Sequence, residues 1–376
     1  MSEWKEYKFG EIATFSQGIQ VDVNFQSYVK EDEYIRFVRI VDYTKMGEEL
    51  PRYIKNPGDK YLVSESDLVM IRYGSQTAGK VVKGICGAIA NNMFKIDLNS
   101  SIADNVYVYY WLSQNSVQDY FMQSQASSTM PAITFDMVGK LEILLPPLEE
   151  QKRIASILTS LDDKIDLLHR ENATLEAMAE TLFRQWFIEE AKEDWEEMSF
   201  GEVIEIFDSK RKPLSKMERD KMKNGSVFYP YYGAAEIMDY IDSYLFDGEF
   251  ILMGEDGTVK TDDGYPILQY ASGKFWPNNH AHVLQAKPPY NNCFIWNYLK
   301  TTNIEYIVTG AVQPKINQAN LLSLPFYKYP DDLLEKYKFA TQEIWEKVMK
   351  NKEQIKILTQ MRNDLLNKLM SNEINL

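Results

Sequence analysis

Reading from Glu3, the chain runs EWKEYKFGEI, and from Asp194 it runs DWEEMSFGEV, with Trp4, Glu6, Phe9, Gly10 and Glu11 matched by Trp195, Glu197, Phe200, Gly201 and Glu202. The echo continues in order. DLVMIRYGS from Asp67 is answered by EFILMGEDG from Glu249, each an acid, an apolar run readable as a buried strand, and a polar loop bearing glycine. Trp111-Leu112 then matches Tyr298-Leu299, and Pro131-Ala-Ile133 matches Pro314-Lys-Ile316. A sequence that repeats an ordered set of elements over half its length folds as two copies of one architecture. Each copy closes with a long amphipathic helix. The first follows Pro146-Pro147 and runs to about Phe187. It carries Ile154, Leu161, Leu168, Leu175 and Leu182 seven apart, with Leu158, Ile165, Asn172 and Ala179 between them. The second follows Pro330-Asp331-Asp332 and places Ile344, Asn351, Leu358 and Leu365 in one column and Val348, Ile355, Arg362 and Leu369 in the other.

Two such helices in one chain predict an antiparallel coiled coil about a pseudo-twofold axis, with Leu161, Leu168, Asn172, Leu175, Ile344, Asn351, Ile355 and Leu358 on its seam. An axis near Arg170 and Glu353 makes Asn172 face Asn351, so that each satisfies the other; the alternative is that both face solvent at an imperfect seam. A helix of about 38 residues is roughly 57 Å long and acts as a stiff ruler. The fold class expected is α+β: two pseudo-symmetric α/β domains, 1–145 and 194–329, separated by long helices at 146–193 and 330–376.

The length of 376 residues and 45% hydrophobic content suit two domains with real cores. The N-terminus has no basic segment followed by an apolar one, and no run approaches the roughly 18 apolar residues of a membrane helix, so a cytoplasmic protein without a membrane partner is expected. Cys86 and Cys293 are too few for a disulfide framework and are read as reduced, packed thiols. The formal charge of −14 argues against a nucleic-acid partner unless basic residues are concentrated locally.

Several stretches imitate catalytic motifs and fail on chemistry. RYGSQTAGKVV, Arg72 to Val82, is nearly a phosphate-cradling loop, but Val81 replaces the hydroxyl that binds magnesium, and VVKGICGAI favours a strand where a helix should begin. KPPY, Lys287 to Tyr290, is similar to the Asp/Asn-Pro-Pro-aromatic motif of amino-methyltransferases, but Lys287 lacks an acceptor oxygen. His280 and His282, with Cys293 downstream, are too dispersed for a typical zinc site, and no serine-histidine-aspartate set is evident. No catalytic residue and no metal ligand is assigned. Binding features are plainer. Lys210, Arg211, Lys212 and Lys216 open a basic segment ending at Lys223, suited to phosphates or simply to solvent. The glycine-bearing loops offer Arg72, Ser75, Gln76, Thr77 and Lys80 in one half, and Glu255, Asp256, Thr258 and Lys260 in the other, side chains able to read base edges.

The segment STMPAITFDMVGKLEILLPPLEEQKRIASILTSLDDKIDLL, Ser128 to Leu168, closely resembles the end of a target-recognition domain and the central helix in DNA-specificity subunits of Type I restriction-modification enzymes. YYGAAEIMDYIDSYLFDGEFILMGEDG and GKFWPNNHAHVL in the second half resemble the same family, as does the Trp-Glu-Phe-Gly-Glu pattern opening each half. The resemblance spans nearly the whole chain. It implies two target-recognition domains reading the halves of a split, double-stranded DNA sequence, with the paired helices setting the unread gap. Two methyltransferase subunits would bring S-adenosylmethionine, and restriction-translocase subunits would bring ATP, magnesium and cleavage in host defence, so no cofactor belongs to this chain. Carried onto this sequence, base reading falls on the Arg72 to Lys80 loop and the Gln123 to Thr129 loop, including Ser124. In the second half it falls on Glu255 to Lys260, on Lys274, Trp276, Asn278 and His280, and on Gln313, Lys315 and Asn317. Every section of the chain is net negative, a departure that bears on the DNA-facing surface. The first turns of the terminal helix, from Asp331, lack the glutamine and Ile-Ala pattern of the central one. A coiled-coil scaffold with protein-binding heads and an autonomous methyltransferase or nuclease are the competing readings.

Overall fold

The structure, a computed structural model, describes residues 4–44, 49–74, 77–125, 132–192, 194–310 and 312–374, the side chains of Ser124 and Gln125 excepted. It divides into two compact units, Met1–Asp166 with Lys356–Leu376, and Leu167–Ile355.

In the first unit a four-stranded antiparallel sheet runs in the order Ala13–Gln17, Met93–Leu98, Leu68–Ile71, Val81–Lys83. The run LVMI is buried on both faces, as its unbroken apolar character demands: alternate side chains of a strand point to opposite sides. Leu68 and Met70 enter a core shared with the helices Asn105–Leu112, Asn115–Gln125 and Phe135–Gly139, while Val69 and Ile71 enter a second core. That second core is closed by a mixed sheet ordered Arg52–Lys55, Tyr34–Val38, Gly87–Ile89, Leu62–Val63. The glycine-bearing loop after Ile71 returns directly into strand Val81–Lys83, paired antiparallel to Leu68–Ile71. A hairpin tip, without a following helix N-terminus, has no anion-binding dipole, so the phosphate-loop likeness ends there.

In the second unit the corresponding sheet has six strands, ordered Ile204–Ile206, Ala281–Ala286, Phe246–Gly254, Leu268–Pro277, Tyr229–Tyr232, Ile237–Ile241. Helix Asn292–Thr301 covers it as Asn105–Leu112 covers the first.

The repeated Phe-Gly-Glu is a helix start. The Glu11 carboxylate accepts from the Lys8 N–H at 3.0 Å, and Glu202 from the Ser199 N–H at 2.9 Å, each tying a four-residue helix to the strand before it. Phe9 and Phe200 are fully buried and stack on Trp111 at 5.5 Å and on Tyr298 at 5.1 Å, the two positions matched in the sequence repeat.

The long helices span Leu148–Arg184, followed by a π-helical turn at Gln185–Glu189, and Asp331–Met370. Acids in both first turns, Glu149 and Glu150, and Asp331 and Asp332, suit the positive end of the helix dipole. In the first unit Ile154, Ala155 and Leu158 of one helix share a core with Leu366, Leu369 and Met370 of the other, and Arg362 Nη1 donates to Asp162 Oδ1 at 3.3 Å. In the second unit Phe183 and Phe187 pack with Tyr337, whose hydroxyl donates to the Ala179 carbonyl at 3.1 Å. Rising along one helix thus means descending the other: they pair antiparallel in both units. Asn351 Nδ2 donates to Asn172 Oδ1 at 2.9 Å, and both side chains are buried. Leu168 is buried as well, whereas Leu161, Leu175, Ile344, Ile355 and Leu358 are half-buried.

Gln151, fully buried, shows what the glutamine of the first helix does. It accepts from the Asp104 N–H and donates to the carbonyls of Ile102 and Pro146, each at 2.8 Å, clamping the helix start to its domain. In the second helix the buried Leu334 and Tyr337 replace this polar clamp with apolar contact. The cysteines differ: Cys293 is packed, its thiol pushed up to about 12 by burial, but Cys86 is exposed, contrary to the expectation of two packed thiols.

Candidate nucleic-acid interface

The same corner is built in both domains, where the central strand ends. In the first, the Arg72 N–H donates to the Asn92 carbonyl at 2.9 Å, the Arg72 carbonyl accepts from the Ile133 N–H at 3.0 Å, and Tyr73 bridges Ala132. In the second, the Glu255 N–H donates to the His280 carbonyl at 2.8 Å, its carbonyl accepts from the Ile316 N–H at 2.8 Å, and Asp256 bridges Lys315. Arg72 and Glu255 are therefore equivalent.

Around the first corner Arg72 is half-buried, with Nη1 donating to Gln17 Oε1 at 2.9 Å and the guanidinium 5.2 Å from the centre of the Tyr73 ring. Thr77 Oγ1 donates to the Tyr73 carbonyl at 3.0 Å and closes the hairpin tip, at whose end Lys80 is exposed. Gly79 has a φ of +90° and lies against Phe121, where an added Cβ would come within 2.9 Å of the ring. Ser75 and Gln76 lie outside the described residues. So do residues 126–129 of the second expected loop, whose beginning is not loop: Gln123 and Ser124 belong to helix Asn115–Gln125, and Gln123 is exposed.

The second corner is a buried ionic network. Arg211 Nη1 donates to Glu255 Oε2 at 2.7 Å and to the Ala281 carbonyl at 2.6 Å, while its Nη2 lies 3.3 Å from Asp208 Oδ2. Asp208 also meets His282 Nδ1 at 2.6 Å, Gln318 Nε2 at 2.8 Å and the Val283 N–H at 2.9 Å. Burial on its own would raise the Asp208 pKa, but hydrogen bonding and the charge of His282, together with the Val283 and Gln318 donors, hold it below its usual value. Asp208, Glu255 and His282 offer ligand atoms within 4.8 Å of one another. Their lone pairs are engaged, however. His282 Nε2 lies 2.9 Å from the Ile316 carbonyl and Nδ1 faces Asp208, while Arg211 places a cation between the carboxylates, so the trio fits an ion-pair network and not a metal.

Arg211, expected at DNA, has a side chain 10% exposed, with donors engaged by Glu255 and the Ala281 carbonyl inside the domain. Two further expected contacts turn inward. Trp276 is buried and donates to the Lys212 carbonyl at 2.7 Å, and the buried Asn278 accepts from the His280 N–H at 2.8 Å. Glu255 is held by Arg211 and by Lys315 at 3.4 Å, and Lys260 is half-buried with Glu305 at 3.1 Å. His280 is exposed with its Nδ1 against Asp256 Oδ1. Thr258, Gln313 and Lys315 are exposed, and Asn317, also exposed, caps the helix Gln318–Leu322 through the Asn320 N–H at 2.8 Å. Lys274 stands over the rings of Tyr244 at 4.6 Å and Tyr229 at 5.9 Å, which raise its pKa, hydrogen bonding to Tyr244 first.

Of the basic segment, Arg219 and Lys223 pair with Asp239 at 3.0 and 2.8 Å. Lys210, Lys212, Lys216 and Lys221 are exposed and carry no ion pair among the described residues. Lys287, in the methyltransferase-like KPPY, donates to the Gly201 carbonyl at 3.1 Å and is structural. No helix among the described residues is long and apolar enough to cross a membrane.

Comparison with known proteins agrees with this twofold construction. The family described as Type I restriction modification DNA specificity domain matches twice, over residues 1–177 and 192–375. The Type I restriction enzyme MjaVIII specificity subunit of Methanocaldococcus jannaschii is 24% identical over 99% of this chain and 93% of its own length. The HindI specificity subunit of Haemophilus influenzae is 31% identical over 50% of this chain and 42% of its own length, and the H. influenzae protein S.HindORF215P is 36% identical over 38% and 35%. The chain thus matches well under two thirds of the length of these two relatives. The crystal structure of a Type I restriction-modification S subunit from M. genitalium shares the fold, with a TM-score of 0.56 at 19% identity over 98% of this chain and 96% of that one. Matched by this family in both halves, the chain belongs to the Type I restriction-modification DNA-specificity family.

Proposed function

We propose that this chain gives a Type I restriction-modification complex its sequence specificity by reading a duplex target in two parts, one with each of its domains. The observation that carries the reading is the repeated corner, in which one hydrogen-bonding pattern at the end of the central strand recurs at Arg72 and Glu255. Different side chains on one backbone frame suit one docking geometry applied to two base sequences. The recognition domains are taken as 1–145 and 194–329. Helix segments 146–193 and 330–376 brace them and set the unread gap.

Among the exposed side chains, base reading falls on Lys80 and Gln123 in the first domain, and on Thr258, Lys274, His280, Gln313 and Lys315 in the second. Phosphate contact falls on Lys210, Lys212 and Lys216. Two methyltransferase subunits supply S-adenosylmethionine chemistry and further basic surface, which a chain of net charge −14 needs around DNA; restriction subunits supply ATP-driven cleavage.

The test is reconstitution of the full chain with its methyltransferase subunits and S-adenosylmethionine, followed by mapping of methylated adenines on a random DNA library. A two-part motif with a fixed gap is expected. Methylation or cleavage by the chain alone would establish the autonomous-enzyme reading, and a complex without sequence preference would leave the protein-binding scaffold.

A further inference from the structure

Three segments far apart in sequence meet beside the first corner. Gln17 ends its strand, Arg72 follows the central strand, and Asn91 lies in the turn before Met93–Leu98. Arg72 Nη1 donates to Gln17 Oε1 at 2.9 Å, Gln17 Nε2 donates to the Asn91 carbonyl, and Asn91 Nδ2 donates to Gln20 Oε1 at 3.2 Å. The backbone under this relay cannot slide. A Cβ on Gly18 would fall 2.2 Å from the Ala90 carbonyl oxygen, so only glycine permits the approach.

The electrostatics separate this corner from its counterpart. Glu255 is closed in by Arg211 at 2.7 Å, Lys315 at 3.4 Å and His282 at 3.7 Å. Arg72 faces a neutral amide; among the described residues no carboxylate pairs with it, and its buried Nε has no partner. A guanidinium oriented by an amide keeps both its charge and its remaining donors for an incoming acceptor, whereas one paired with a carboxylate would have to break that pair first.

We propose that Arg72 is a specificity-determining residue that reads guanine in the first half-target, with Gln17 as its positioning residue. The planar fork of donors matches the O6 and N7 acceptors on the major-groove edge of guanine. Asn91 and Gln20, both exposed, continue the relay beyond Gln17 with amides of the type that pair with adenine. This inference rests on the two-part reading proposed above and names the base chemistry of one part.

Arg72→Lys, Arg72→Ala and Gln17→Glu, each in the full chain assembled with its methyltransferase subunits, are compared with wild type by methylation mapping and by affinity as a function of salt. Arg72→Lys keeps the charge and loses the fork. Guanine preference at one position of the first half-target should fall about 5- to 150-fold, with the salt slope and the second half-target unchanged. Gln17→Glu, which supplies the missing carboxylate, should relax that same position. Restoration of wild-type discrimination by Arg72→Lys after uniform weakening by Arg72→Ala would make Arg72 a phosphate contact and overturn the inference. So would an intact motif in all three variants. A wild-type complex that shows no two-part motif would instead remove the proposed function, and this inference with it.

Discussion

Replacing Asn351 with alanine isolates what the buried amide pair contributes. Asn351 Nδ2 donates at 2.9 Å both to Asn172 Oδ1 and to Glu171 Oε2. Glu171 is partly exposed and keeps Lys347 at 3.4 Å, so water can replace what it loses. Asn172 is 6% exposed, and its oxygen would be left without a donor, at a cost of about 1–3 kcal/mol. Part of this is returned, because Asn351 Oδ1 is itself buried without a partner and disappears with the substitution. The net expected loss is about 1–2 kcal/mol, or roughly 5- to 30-fold faster hydrogen exchange of amides from Leu168 to Leu175. A double-mutant cycle with Asn172→Ala should return most of that as coupling energy, since the two side chains share one bond. Leucine at both positions should cost little or stabilise, because no polar group is then stranded. Unchanged exchange in Asn351→Ala, or a coupling energy near zero, would refute the claim that the asparagines pin the register.

Arg211→Ala should destabilise the second unit by about 2–4 kcal/mol, because it removes the cation shared by Asp208 and Glu255 from a site where the Arg211 side chain is 10% exposed; Lys212→Ala should stay within about 0.5 kcal/mol while weakening DNA binding on all sequences, as urea unfolding and salt-dependent affinity would reveal. Acid should act through Asp208. Its folded-state pKa is depressed below the usual 3.8, so its stabilisation is complete above that value and lost as pH falls through the folded-state value; the stability gap between wild type and Asp208→Asn should close over that interval, and a gap independent of pH would contradict the assignment. Gln151→Ala should cost about 2–4 kcal/mol in the first unit through its three stranded backbone partners, read as faster exchange at the start of the first long helix.

The long-range plan of this protein was legible because it is periodic. Heptads located both helices, an axis near Arg170 and Glu353 set Asn172 opposite Asn351, and the acid followed by LVMI marked a buried strand. The recognition surface was less legible because burial of a polar side chain depends on partners distant in sequence. Arg211 looked like part of a basic loop until Glu255 and Ala281 claimed its donors, and Trp276 until the Lys212 carbonyl did. Gln17 and Asn91 went unnoticed for the same reason: their contacts cross 55 and 74 residues, and nothing local sets them apart. The helical setting of Gln123 was locally legible: Val117 and Phe121, four apart and both buried, lie on one face of the helix that carries it.

The account depends on the paired helices measuring the gap between the two parts of the target. Three heptads inserted after Asp166 and three after Ile355 preserve both seams and lengthen each helix by about 31 Å, close to one turn of duplex DNA at roughly 34 Å. Methylation mapping of the assembled complex should then return the same two half-targets with their separation increased by about nine or ten base pairs. Recovery of the original separation by the lengthened protein would contradict the account.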